Sequence, residues 1–99
     1  MIAAVVITLS WIAPIEREDN TPLDPAEIAA YRVYRGAVMD REFTQWGMKD
    51  GNPYMAWWTN SPGPHCFTMT TVDTGGKESA QSNRVCQDFS TNPPRVLCQ

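Results

Sequence analysis

Apolar and polar residues alternate with a period of two through much of the chain, and this pattern predicts β-strands. Near the amino terminus, Val5, Ile7, Leu9 and Trp11 share one parity, and smaller or polar residues occupy most of the positions between them. Successive strand residues point to opposite faces, so this parity is expected to be buried. We therefore predict a strand over residues 5–13, with Leu9 and Trp11 in the core.

A hairpin is predicted near the carboxyl-terminal end. His65–Val72 is rich in Thr, Phe and Val, and the parity that contains Phe67 and Met69 is expected to face the core. A turn with Asp and two glycines follows, centred on Gly76, because glycine adopts positive φ without steric cost. A second short run, Ser82–Cys86, completes the predicted hairpin.

The hairpin brings two cysteines together. If it folds about Gly76 without a bulge, Cys66 lies opposite Cys86, and this pair is a disulfide candidate. Cys98 is then left over in the polar tail. Three ordinary thiols are the alternative, because a reducing cytosol would keep them unpaired.

Three more strands are predicted between these elements. In residues 30–36, Tyr31 and Val33 are expected to face the core, while Arg32 and Tyr34 face solvent or a partner. A strand over residues 54–59 is expected to turn Met55 and Trp57 inward and Trp58 outward. Residues 41–46 are predicted as a short edge strand, and the Asp50-Gly51 step after it predicts a turn.

Several motifs carry a family resemblance: Thr8–Pro14 (TLSWIAP), Ala30–Tyr34 (AYRVY) and Pro62–Asn83, with Pro62-Gly63, Phe67, Asp73, Glu78-Ser79 and Ser82-Asn83. In this order they resemble the strands of bacterial and phage fibronectin type III domains. The resemblance implies an all-β, immunoglobulin-like sandwich over residues 1–87 and a carboxyl-terminal tail or arm over residues 88–99. The corner tyrosine of the family is His65 here.

Only ten residues precede Trp11, so the first strand of the family is expected to be short or missing. Its neighbour would then be a sheet edge with unpaired backbone groups, which natural proteins seldom leave bare. We expect this edge to be covered either by the chain's own arm, Ser90–Gln99, or by a strand of another subunit.

The length and net charge of the chain limit the classes of function that it is expected to have. The chain has 99 residues, enough for one domain, and a net charge of −3 with scattered Lys and Arg, which disfavours nucleic-acid binding. The apolar amino terminus lacks the basic n-region of a signal peptide, and no segment has the apolar length of a membrane span. We expect no export or anchoring segment.

Catalytic and metal sites are not indicated. His65 has the parity of the core, and the adjacent Cys66 points to the other face, so the two cannot form a nucleophile pair. The acidic loop at residues 15–29 suggests calcium, but its spacing fits no EF-hand and is typical of a solvated loop. We predict a protein that is not an enzyme and has no cofactor or metal.

The expected function is therefore binding. Trp46, Tyr54 and Trp58 are candidates for an exposed aromatic patch, and Tyr34 and Arg32 extend the candidate interface; the alternative is that several of these rings cover the core. The resemblance implies an accessory virion protein of a tailed phage, a capsid decoration or tail component. Its partners would be other virion proteins or its own copies. The alternative is a surface or secreted bacterial module that binds carbohydrate or protein, including a host surface glycan.

Overall fold

The computed structural model describes residues 5–59, 63–88 and 95–98, and nearly all of its regular structure is β. The strands form two antiparallel sheets, of three and five strands, in a sandwich-like arrangement. The prediction of an all-β sandwich is therefore confirmed at this level. The strands are β1 (Val5–Ser10), β2 (Ile28–Arg35), β3 (Val38–Phe43), β4 (Gly47–Lys49), β5 (Asn52–Thr59), β6 (Pro64–Asp73), β7 (Val85–Asp88) and β8 (Arg95–Cys98).

The smaller sheet has the order β1-β5-β4. Its β4–β5 hairpin turns at Asp50 and Gly51, which both have positive φ, as the Asp-Gly step predicts. Met55 and Trp57 pack against the core, and Trp58 is exposed on the opposite face. Of the strand expected over residues 41–46, only residues 41–43 are in a strand, as the end of β3, and residues 44–46 connect β3 to β4 in the other sheet.

The larger sheet has the order β3-β2-β6-β7-β8. Its last strand comes from the tail, since Arg95–Cys98 pairs with β7. The boundary predicted at residue 87 thus falls inside β7. The hypothesis that the chain's own arm covers the first strand is wrong for these residues, which lie at the edge of the other sheet; positions 90–94 and 99 lie outside the described residues.

The hairpin of β6 and β7 has the predicted register at its open end, where Cys66 lies opposite Cys86. The second run begins at Val85 and not at Ser82. Two serines between the turn and β7 accept hydrogen bonds from backbone amides of β6. The Ser79 hydroxyl accepts from Thr71 and the Ser82 hydroxyl accepts from Met69, each at 3.0 Å. These serines satisfy the edge of β6 where β7 does not reach it.

The core lies between the sheets and is largely aromatic. Tyr31 meets Trp11 and Trp46 edge-on, with ring centroids 4.9 and 4.7 Å apart. Trp57 meets Phe67 edge-on at 5.8 Å, and edge-on pairs suit the ring quadrupoles. Buried core residues include Ile7, Leu23, Ile28, Tyr31, Val33, Phe43 and Phe67; Leu9, Trp11, Trp46, Met55, Trp57 and Met69 are half-buried against them.

The acidic loop after β1 is held by one arginine. Arg17 pairs with Glu27 and Asp73 and donates to the carbonyl of Pro22. Residues Pro25–Glu27 form a 3-10 turn, which Asp24 caps at its amino-terminal end. Among the described residues, no helix has the length and apolar character needed to cross a membrane.

Candidate functional site

Strand β1 presents an open backbone edge. In the described residues it pairs only with β5, and the amide of Trp11 donates to the carbonyl of Pro53 at 3.1 Å. In an antiparallel ladder, every second residue exchanges backbone hydrogen bonds with its partner strand. Because Trp11 bonds to this partner, the odd-numbered residues of β1 bond to β5. Val6, Thr8 and Ser10 therefore direct their N–H and C=O groups to the open side.

The other edge strands carry features that discourage pairing with a further strand. Strand β3 contains Asp40, Arg41 and Glu42, and its pairing with β2 has a bulge. Strand β4 has only three residues, and β8 begins with Arg95. Charges, bulges and short length all disfavour edge-to-edge association.

Strand β1 has none of these features. Its six residues, Val5–Ser10, include no charge and no proline, and its register with β5 is unbroken. Of the described edges, β1 is thus the one that its sequence leaves open to strand addition.

A groove lies beside this edge. Its volume is about 440 Å³, and it separates β1 from the segment that joins β6 to β7. Its apolar lining includes Leu9, Trp11, Phe67, Met69 and Val85, all but Phe67 only half-buried. The indole nitrogen of Trp11 is buried and makes no hydrogen bond among the described residues. The groove therefore leaves part of the core apolar surface uncovered next to unpaired backbone.

A second cavity, of about 260 Å³, lies against the acidic loop. Its charged lining includes Arg17, Glu18, Asp73 and Lys77. Arg17 is already paired with Asp73, and a carboxylate oxygen of Glu18 accepts from the amide of Ala80. These groups tie loops together, which makes the cavity a weaker candidate than the β1 groove.

Arg32 and Tyr34, which the sequence suggested as interface residues, belong to a polar cluster built around Glu78. Thr70 and Arg32 donate to the Glu78 carboxylate at 2.6 and 2.9 Å, and Tyr34 donates to it as well. Arg32 also pairs with Glu42 at 2.7 Å, on the neighbouring strand β3. The two predicted interface residues are therefore engaged within the chain.

The cluster keeps Glu78 ionised. Hydrogen bonds from Thr70 and Tyr34, with a further bond from Arg32, lower the pKa of this carboxyl below its ordinary value. The bond to Glu78 is the main cause that raises the pKa of Tyr34. A carboxylate stabilised in this way is a weak base, so the cluster suits a structural role. Glu78 belongs to the Glu78-Ser79 step of the sequence resemblance, but the sequence alone indicated no role for it.

The aromatic candidates do not form one patch. Trp46 packs against buried Tyr31, and Tyr54 covers Gly47, where a Cβ would lie 2.5 Å from its ring. Trp58 is 68% exposed, on the outer face of the smaller sheet and opposite Val6. Of these three rings, only Trp58 presents a largely exposed surface, and Tyr54 lies four positions before it on the same face of β5.

His65 is buried, as its parity predicts, and Nδ1 lies 2.9 Å from Arg35 Nη1. Arginine can only donate, so Nδ1 is the acceptor in this contact. The ring stacks on Phe67, with centroids 6.1 Å apart. The residue that the sequence resemblance aligns with a corner tyrosine thus makes a polar contact through an imidazole.

Cys66 and Cys86 form a disulfide between neighbouring strands of the larger sheet, with Cα atoms 4.0 Å apart. The register also places Cys98 of β8 opposite Cys86. No cluster of three or more His, Cys, Asp or Glu residues suited to a metal ion occurs in the described part of the chain.

Fold and site together define a two-sheet, antiparallel β-protein in which one strand edge, unpaired within the described residues, lies beside an apolar groove. The backbone groups of an open strand edge have the geometry to hydrogen-bond to an extended polypeptide strand. No family model, curated protein or solved structure matches the chain.

Proposed function

We propose that this chain is a non-enzymatic assembly module of the fibronectin type III kind, an accessory virion protein of a tailed phage that acts as a capsid decoration or tail component. The observation that carries the proposal is the open, uncharged edge of β1 above its apolar groove. No strand among the described residues pairs with this edge, and a strand of another chain would complete its backbone hydrogen bonding.

The sheet order supports the family. The first strand of a fibronectin type III domain would lie beside the strand that carries the TLSWIAP motif, and this strand is β1. The groove occupies the same side of β1. A virion subunit works through such interfaces, and its partners are other virion proteins or copies of itself.

Localisation is tested on particles of the phage that encodes the chain, banded in a density gradient. Tryptic mass spectrometry of the infectious band is expected to detect peptides of this chain in a constant ratio to the major capsid protein across the band. A band of infectious particles without these peptides would overturn the virion proposal.

A bacterial surface or secreted binding module is the second candidate, and exposed Trp58 is the observation that favours it. A flat aromatic ring on a sheet face can stack on a sugar ring. Under this function, glycans would quench tryptophan fluorescence of the wild-type chain, and Trp58→Ala would abolish binding. Val38→Ala, at an exposed position of the other sheet, is the control. Unchanged fluorescence across a glycan panel would count against this candidate.

A further inference from the structure

We infer that the strand which pairs with β1 is β1 of a second copy, related to the first by a twofold axis at Thr8. The inference rests on the proposed function as an assembly module and names its partner. It follows from the hydrogen-bond pattern, the charge of the strand and the shape of the groove.

The hydrogen-bond pattern fixes the register. Val6, Thr8 and Ser10 direct their backbone groups to the open side. Two antiparallel copies of β1 use all three residues of each strand in only one register. In it, Val6 lies opposite Ser10 of the second copy, and Thr8 lies opposite Thr8.

Charge favours a second copy as the occupant. The amino-terminal fifteen residues contain no Asp, Glu, Lys or Arg, so β1 against β1 buries no unpaired side-chain charge. The edges of β3 and β4 would each bring charge to the interface, through Asp40, Arg41 and Lys49. Of the edge strands that the structure describes, β1 is the one without a charged residue, so a second β1 is its neutral match.

Pairing also covers the groove. Residues of the second β1 with the parity of Ile7 and Leu9 face the same side of the extended sheet as their counterparts. This is the side on which Met69 and Val85 line the groove. The two smaller sheets become one continuous sheet with the order β4-β5-β1-β1-β5-β4.

A twofold arrangement also ends the assembly. The interface is isologous, so one pairing uses the open edge of both copies and leaves none for a third. The inferred product is a closed dimer with its outer, Trp58-bearing faces on one side.

The test uses charge at Thr8, an exposed residue whose side chain lies on the outer face. Thr8→Lys and Thr8→Glu each place like charges on the axis, so each variant is expected to be a monomer by light scattering where the wild type is a dimer. An equimolar mixture of the two variants is expected to restore a dimer, which native mass spectrometry identifies as the mixed species. At 1 M salt the screening length is about 3 Å, so the single variants regain part of the dimer.

Thr44→Lys and Thr44→Glu are the matched controls, since Thr44 is exposed and lies outside the strands. They are expected to remain dimers. Circular dichroism must show wild-type folding for all four variants. As a second measurement, hydrogen exchange at the amides of Val6, Thr8 and Ser10 is expected to slow when the wild type dimerises.

A wild-type chain that stays monomeric at all accessible concentrations would overturn the inference, as would a dimer that both Thr8 charges leave intact. Neither result affects detection of the chain in banded particles. Conversely, particles without the chain would overturn the virion proposal and leave the dimer test standing.

Discussion

At the scale of single residues, Glu78 joins three strands and a loop. Its carboxylate accepts from Arg32 of β2 and Thr70 of β6, and Arg32 continues the contact to Glu42 of β3. Buried Thr70 is thereby satisfied on the outer face of the sheet. The alternation along β6 predicts that Thr70 faces solvent. The Glu78 cluster explains why Thr70 is buried in the structure.

Glu78→Gln is expected to reduce the free energy of unfolding by about 1 to 2 kcal/mol at pH 7, because it removes hydrogen bonds to a charged acceptor. The folded-state pKa of Glu78 lies below the ordinary 4.5, so its contribution is complete above pH 4.5. It is lost as the pH falls through the folded-state pKa. The difference from wild type should therefore shrink in acid, as urea unfolding at a series of pH values can show.

Glu16→Gln, at an exposed position in the loop after β1, is the control for this series. Its stability is expected to follow that of the wild type at neutral pH. Parallel stability curves for Glu78→Gln and wild type down to pH 2 would contradict the assigned role of the carboxylate.

At the scale of elements, the sequence predicts those strands whose two faces differ in polarity. Strands β1, β2, β5 and β6 alternate clearly, because each has one face on the core. Strand β3 does not alternate, since only Phe43 among its six residues is buried. An edge strand with charges on both faces has no period-two signal for sequence analysis to find.

Strand β8 and the contacts of Ser79 and Ser82 were also not predicted, but the reason is different. Two prolines precede β8 in the sequence, and its pairing depends on where β7 ends. Ser79 and Ser82 reach β6 through their hydroxyls, which leave no pattern of hydrophobicity. The turn after β6 and the Cys66–Cys86 pairing were predicted, but the bridge between Val72 and Glu78 does not share the register of the cysteines, so the hairpin is not the bulge-free one that was expected.

The positions of the three cysteines in β6, β7 and β8 predict how many free thiols each cysteine-to-serine variant has. Cys86 lies opposite both others, whereas Cys66 and Cys98 are two strands apart, about 10 Å, which is too far for a bond. After oxidation, Cys66→Ser and Cys98→Ser are each expected to have no free thiol, and Cys86→Ser to have two. Thiol titration in denaturant and peptide mapping measure this. Two free thiols in oxidised Cys66→Ser would contradict the register of β8.

At the scale of the whole molecule, the open site reflects where the last described strand lies. Strand β8 pairs with β7 in the larger sheet, so within the described ranges β1 has β5 as its one strand neighbour. Sequence resemblance indicated a missing first strand and hence an open edge. The resemblance could not distinguish between coverage by the chain's own arm and coverage by a strand of another subunit. The reason is that contacts between residues distant in sequence determine where an extended arm pairs.

The Cys66–Cys86 disulfide bears on how the module responds to mechanical load, as a subunit on a particle surface would meet it. The disulfide transmits the pulling force directly from Cys66 to Cys86, which are 20 positions apart, so the segment between them carries no load. When the oxidised chain is pulled from its ends, its contour length on unfolding should be shorter by roughly 70 Å than in reductant, at about 3.4 Å per residue. Optical tweezers can measure this difference, with Cys86→Ser as a control that reductant does not lengthen. The turn after β6 and its flanking segments would then stay untensioned, and the module would yield by a short, fixed distance.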